Sequence, residues 1–140
     1  MPAKVRTNSS LPPVFLDEVF LSLQGEGVDV GRPHLFLRLA GCPLRCRYCD
    51  TPQSWQPKST FSLRMRSEIQ GIPNPLPQEQ LSELLEKVAQ SHGVTSEAIV
   101  LSVTGGEPLA QPEFLKSWLP FWKGEVLLET AGVFPDALSE

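Results

Sequence analysis

Gly41-Cys42-Pro43-Leu44-Arg45-Cys46-Arg47-Tyr48-Cys49-Asp50-Thr51 is the stretch around which the rest of the chain is read. It holds all three cysteines of the 140-residue sequence, in a C-x3-C-x2-C spacing. The cytosol keeps thiols reduced, so a cysteine cluster in an intracellular protein points first to metal binding or catalysis. Three thiolates on one tight loop can hold three corners of an iron–sulfur cubane, leaving one iron without a protein ligand. An open iron can bind a reactant, whereas a cluster closed by four cysteines suits electron transfer. Two other readings stay open on spacing alone. A zinc site would have to recruit His34, His92 or Asp50 as a further ligand. A disulfide would leave one odd cysteine and needs an oxidising compartment.

Upstream, residues 34–40 read as a strand that runs directly into the cysteine loop. Side chains alternate along a strand, so Leu35, Leu37 and Leu39 share one face and His34, Phe36, Arg38 and Ala40 the other. Arg38 is the anomaly, because a buried guanidinium needs an anion to neutralise it. It can pair with Glu18 or Glu26, reach solvent at the strand end, or serve as a fork for a substrate carboxylate. His34 reads as a core or rim histidine. Residues 14–23, rich in Val, Phe and Leu, read as an earlier strand entering Gln24-Gly25-Glu26-Gly27. The two glycines there fit a turn, which leaves the Gln and Glu unexplained.

Downstream, residues 51–77 carry Pro52, Pro57, Pro73, Pro75 and Pro77 and show no sustained period. With Trp55 and Phe61 to bury, this segment reads as a structured excursion that could cover an active site. Leu81, Leu84, Leu85, Val88 and Ala89 then mark one face of a helix, with Gly93 as its stop. Residues 99–103 form an apolar strand that delivers Thr104-Gly105-Gly106-Glu107-Pro108. The paired glycines let backbone approach a ligand closely, or simply make a turn. A short helix over 111–118 and a strand over 125–129, ending in Thr130-Ala131-Gly132, complete a βαβαβ alternation. That order calls for an α/β fold with a parallel sheet and right-handed crossovers.

Hydrophobic residues make up 41% of the chain and the net charge is −4, which fits one compact domain, here residues 14–140. Residues 1–13 read as a flexible lead-in without the apolar core of a signal peptide. Scattered basic residues give no nucleic-acid footprint, and no apolar run is long enough to span a membrane. The cytoplasm is the expected location.

The cysteine loop, with Tyr48 before its last cysteine, and the Gly105-Gly106-Glu107-Pro108 loop together resemble the radical S-adenosylmethionine superfamily. Phe20-Leu21-Ser22-Leu23-Gln24-Gly25-Glu26-Gly27, with Arg38 and Thr51, further resembles its 7-carboxy-7-deazaguanine synthase family. The resemblance implies a partial TIM-like α/β barrel whose mouth holds a 4Fe-4S cluster on Cys42, Cys46 and Cys49. It implies S-adenosyl-L-methionine contacts at Tyr48, Cys49, Asp50, Gly105, Gly106 and Glu107, with Glu129 and Thr130 as further candidates. It implies Mg2+ on Thr51 and substrate contacts at Leu23, Gln24, Gly25, Glu26, Arg38 and Thr104. The implied reaction abstracts hydrogen from C6 of 6-carboxy-5,6,7,8-tetrahydropterin. Ring contraction and loss of ammonia then give 7-carboxy-7-deazaguanine, for queuosine and related deazapurines. A reducing partner such as flavodoxin or ferredoxin and a homodimer are implied as well, with no nucleic-acid or membrane partner. The alternatives are an activating enzyme that makes a glycyl radical on a partner protein and a non-catalytic zinc-binding module. The family's fold extends beyond the third parallel strand, so residues 126–129 are expected at an open sheet edge, with Val133 and Phe134 uncovered.

Overall fold

The computed structural model describes residues 11–139. The expected lead-in falls mostly on residues 1–10, which lie outside the described residues. Its last residues are tied down, for the Gln78 side chain donates to the Pro12 carbonyl at 2.7 Å. Val14 forms an isolated bridge with Leu76.

Six strands build one sheet in the order β4-β3-β1-β2-β5-β6. They are β1 (Leu16–Leu23), β2 (Pro33–Leu39), β3 (Thr60–Arg64), β4 (Ile69–Pro73), β5 (Val100–Gly105) and β6 (Val126–Leu128). The expected parallel series is present as β2, β5 and β6. β1 departs from it by pairing antiparallel to β2, since a nine-residue return over 24–32 is too short for a crossover. The proline-bearing excursion is also more ordered than its sequence suggests. Its middle forms the β3–β4 hairpin, and β3 runs parallel to β1 and widens the sheet. Phe61 and Leu63 alternate inward along β3, at 3% and 0% exposure. The sheet stays open, with β4 and β6 as its edges.

Alternation divides the sheet chemically. Val19, Leu35, Leu37, Leu63, Leu101 and Val103 are fully buried on one face. They form one cluster with Leu81, Leu85 and Val88 of α1 (Leu81–Ser91) and with Phe114, Leu115 and Trp118 of α2 (Pro112–Trp118). The apolar spacing therefore places α1 as expected, and Gly93, at φ +78°, ends it in a conformation few other residues adopt. The opposite face is mixed. Ladder partners there are Glu18 with Arg38, Phe20 with Phe36 and Ser22 with His34, and across β2–β5 Phe36 with Ser102 and Arg38 with Thr104. Phe20 and Phe36 stack with ring centroids 4.9 Å apart. The loops that follow β2 and β5 leave the same end of the sheet, the C-terminal end of the parallel strands, where such folds place their sites. Among the described residues no helix is long and apolar enough to cross a membrane.

Leu37 sits at the centre of the helix-covered face with no exposed surface. Leu37→Ala should cost about 2–5 kcal/mol in urea denaturation, with the denaturant slope unchanged.

Candidate cofactor and substrate site

At the end of β2, Gly41 turns the chain out of the sheet at φ +101°, a left-handed conformation that favours glycine. Its N–H donates to the Ser54 carbonyl at 2.8 Å, and the Cys42 N–H donates to the Trp55 carbonyl at 3.0 Å. Thus the two ends of the cysteine loop are pinned to each other. Arg45 closes it further. Its guanidinium donates to the carbonyls of Cys42 and Leu44, each at 2.7 Å, and lies 4.8 Å over the Trp55 ring. Cys42, Cys46 and Cys49 are free thiols, each half-buried. Tyr48 is 89% exposed, and Asp50 is exposed beside it. Thr51 is half-buried, with its hydroxyl 3.9 Å from the Cys49 sulfur. It precedes the short turn Pro52–Ser54 without spending that hydroxyl as a cap.

The Gly105-Gly106-Glu107-Pro108 loop lies directly against this one. The Glu107 N–H donates to the Gly41 carbonyl at 2.9 Å. A Cβ on Gly106 would fall 2.3 Å from that same carbonyl oxygen, and one on Gly105 would fall 2.7 Å from the Leu39 carbonyl oxygen. The missing side chains let this loop pack directly on the backbone that leads into the cysteine loop. Glu107 likewise faces inward, 1% exposed. Its carboxylate accepts from the Leu109 N–H at 3.0 Å, the Thr130 hydroxyl at 2.6 Å and the Ala131 N–H at 2.8 Å. This acid joins the loop after β5 to the segment after β6.

Arg38 resolves one of its open alternatives. Its Nε donates to Glu18 at 3.0 Å, while one terminal nitrogen donates to the Gly105 carbonyl at 3.3 Å. Glu18 accepts a second guanidinium, from Arg64, at 3.0 Å. The neighbouring Asp17 carboxyl is pushed above its ordinary value by burial and by the Glu18 charge, against the opposing pull of Lys58, Arg38 and Arg64. Thr104 lies beside Arg38 in the ladder and is nearly buried.

Gln24 is 4% exposed, whereas Leu23, Gly25 and Glu26 are exposed. The Gln24 amide nitrogen donates to Glu129 at 2.8 Å and to the Ser102 hydroxyl at 3.4 Å. Its carbonyl oxygen accepts from the Glu26 N–H at 3.2 Å. So the Gln24 side chain is engaged by protein, and it ties its loop to the end of β6. Ser102 and His34, joined at 2.7 Å, belong to the same buried network. Sequence reasoning missed Ser102 and read His34 as a core or rim histidine, or as a ligand if the cysteines held zinc, and not as part of a polar network. The signal available was a serine and a histidine on the polar face of otherwise apolar strands.

A profile of the Radical SAM superfamily matches residues 37–136. The chain belongs to that superfamily, which implies a 4Fe-4S cluster and S-adenosylmethionine as cofactors. More particularly, it is 39% identical to the 7-carboxy-7-deazaguanine synthase of Methanothermobacter thermautotrophicus over 84% of this chain and 40% of that protein. It is 41% identical to the synthase of the same name from Methanopyrus kandleri over 85% of this chain and 48% of that one. Among solved structures it resembles QueE from Escherichia coli, with a TM-score of 0.57 and 27% identity, over 86% of this chain and 53% of that one. The chain spans about half the length of the curated relatives it matches.

The residues present fit a cubane. Among the described residues no three His, Cys, Asp or Glu side chains gather closely enough for a single ion, but each cubane thiolate serves a different iron. Three free thiols on one pinned, half-exposed loop meet that need.

Gly106→Ala should lower stability by about 1–3 kcal/mol or more in chemical denaturation, because only backbone can yield to the added Cβ. Gly25→Ala, whose Cβ would meet nothing within 4 Å, should be close to neutral in the same assay.

Proposed function

We propose that this chain forms the cofactor-binding part of an enzyme that converts 6-carboxy-5,6,7,8-tetrahydropterin to 7-carboxy-7-deazaguanine, releasing ammonia, for queuosine and related deazapurines. The observation that carries this reading is the junction of two loops, sealed by the Glu107 N–H to Gly41 bond of 2.9 Å. It brings a three-cysteine loop beside the glycine-rich loop at one end of a sheet whose polar face carries Arg38 and Thr104. Similarity to proteins named 7-carboxy-7-deazaguanine synthase supplies the choice of substrate.

Cys42, Cys46 and Cys49 would hold the cluster, and Tyr48, Cys49, Asp50, Gly105 and Gly106 would bind S-adenosylmethionine. When bound, these groups supply the radical that takes hydrogen from the substrate. The chain's own residues bind and orient. Glu107 acts from behind, since its carboxylate is already engaged by protein donors, and keeps the glycine loop rigid. Arg38 has guanidinium donors left after its bond to Glu18 and offers them to the substrate carboxylate. Leu23, Gln24, Gly25 and Glu26 border the substrate, with Gln24 fixing the loop. Thr51 offers a hydroxyl that is not spent as a cap to Mg2+, a hard cation that accepts neutral oxygen beside water and substrate oxygens. A reducing protein such as flavodoxin or ferredoxin supplies the electron, and the three free thiols support a reducing, cytoplasmic setting. Val126 at the free edge and Val133 and Phe134 beyond it are 37–41% exposed, which supports association with a second copy.

The test is anaerobic reconstitution followed by analysis and assay. About four irons and four sulfides per chain are expected, falling sharply in Cys46→Ala. Stoichiometric zinc without sulfide would overturn the cluster assignment. The cluster-loaded chain should bind 6-carboxy-5,6,7,8-tetrahydropterin, and an intact cluster with no detectable pterin binding would overturn the substrate assignment.

For Arg38, the informative variant is Arg38→Met, which keeps much of the stem and removes the fork. Pterin binding should weaken by about 2–4 kcal/mol while the cluster spectrum is retained. Unchanged pterin affinity would return Arg38 to a purely structural ion pair with Glu18.

A further inference from the structure

His34 is fully buried. Its Nδ1 lies 2.7 Å from the Ser102 hydroxyl, and Ser102 is also fully buried. Its Nε2 has no hydrogen-bond partner but faces an Asp29 carboxylate oxygen at 3.8 Å. Asp29 is itself held by an ion pair with Arg32. On the other side, Ser102 receives the Gln24 amide at 3.4 Å, and that amide also reaches Glu129 at 2.8 Å.

These contacts admit one consistent direction of hydrogen bonding. The Gln24 nitrogen can only donate, so it gives one proton to Glu129 and the other to the Ser102 oxygen. The Ser102 hydroxyl proton is then left to point at His34, and Nδ1 must accept it. A neutral imidazole that accepts at Nδ1 carries its proton on Nε2, on the side of the Asp29 carboxylate. Charge and geometry therefore agree from Gln24 through to Asp29. Reversing the histidine tautomer would set two protons against each other between Ser102 and His34. The sole remedy would be to turn the hydroxyl away from a site that is buried on all sides, which costs a hydrogen bond.

We propose that His34 and Ser102 are positioning residues that set the orientation of the Gln24 carboxamide, and through it the Glu129 carboxylate and the 24–27 loop, for a heterocyclic substrate lying on the polar face of the sheet. The geometry that carries this is a continuous buried chain joining β2, β5, the loop after β1 and the end of β6. An amide that could flip would exchange a donor for an acceptor at two of its contacts. The His34–Ser102 pair removes that freedom, so the loop meets its ligand in one hydrogen-bonding pattern. The proposal rests on the pterin reading for the identity of the ligand only.

The test uses the full chain labelled with 15N. There are two histidines, so His92→Gln assigns the His34 signals. His34 should show an unprotonated Nδ1 and a protonated Nε2; a proton on Nδ1 would overturn the proposal. In Ser102→Ala the Gln24 carboxamide protons should shift and exchange faster with solvent, and signals identical to the parent would also overturn it. His34→Asn keeps an acceptor near the Nδ1 position and should preserve the Gln24 signals, while His34→Leu should lose them. In titrations of the cluster-loaded chain, His34→Leu should raise Kd for the pterin on the order of five- to tenfold, with little change in Kd for S-adenosylmethionine. Equal Kd changes for both would mark a general structural role and overturn the positioning role. A parent chain that holds its cluster yet never binds pterin would refute the substrate reading, while the nitrogen and amide signals would still decide the network.

Discussion

One backbone hydrogen bond, from the Glu107 N–H to the Gly41 carbonyl, holds the functional end of the molecule together. It forms because two local conditions coincide. Gly41 adopts a backbone conformation that favours glycine, and Gly106 lacks the atom that would strike the same carbonyl. Two loops that are 65 residues apart in sequence thereby become one rigid lip. The buried Glu107 carboxylate extends the effect to a third segment, because it accepts from both Thr130 and Ala131. A buried carboxylate is tolerable when donors surround it, and this one has donors from two directions. The residue type that suggests catalysis in a motif is here the fastening behind it.

Much of this was legible in the sequence where information is local. The period of Leu81, Leu85 and Val88 fixes α1, and the alternation of Leu35, Leu37 and Leu39 fixes both the strand and its buried face. The β3–β4 hairpin was less visible. Its alternation of Phe61, Leu63 and Met65 is short, and the prolines on both sides read as loop. β1 was legible as a strand, and the glycines after Gln24 suit the turn by which it returns antiparallel to β2. Cysteine spacing marked the cofactor loop. Glu18 was among the partners the sequence offers Arg38, whereas the choice among those partners and the contacts of Gln24 and Glu107 depend on how distant segments meet in the fold. Glu129, for example, meets Gln24 across 105 positions.

The two faces of the sheet divide labour. Aliphatic side chains and helices on one face supply the burial that stabilises the fold, so the other face is free to carry charge and hydrogen-bonding groups. Several of those groups are satisfied in sets: Glu18 serves two arginines, and Ser102 serves both a histidine and an amide. Such internal satisfaction keeps polar groups oriented at little cost in stability.

The two margins of the sheet are not equivalent. β4 carries Gly71 at its centre and ends in Pro73, residues that pair poorly with a further strand. β6 is the three-residue run Val126-Leu127-Leu128, without proline, glycine or charge. Any strand that joins this sheet, from whatever source, is therefore steered to the β6 side. The fold has a direction of growth written into it, with a blunt end and a receptive one, and the receptive end is the one reached through the glycine loop and its buried acid.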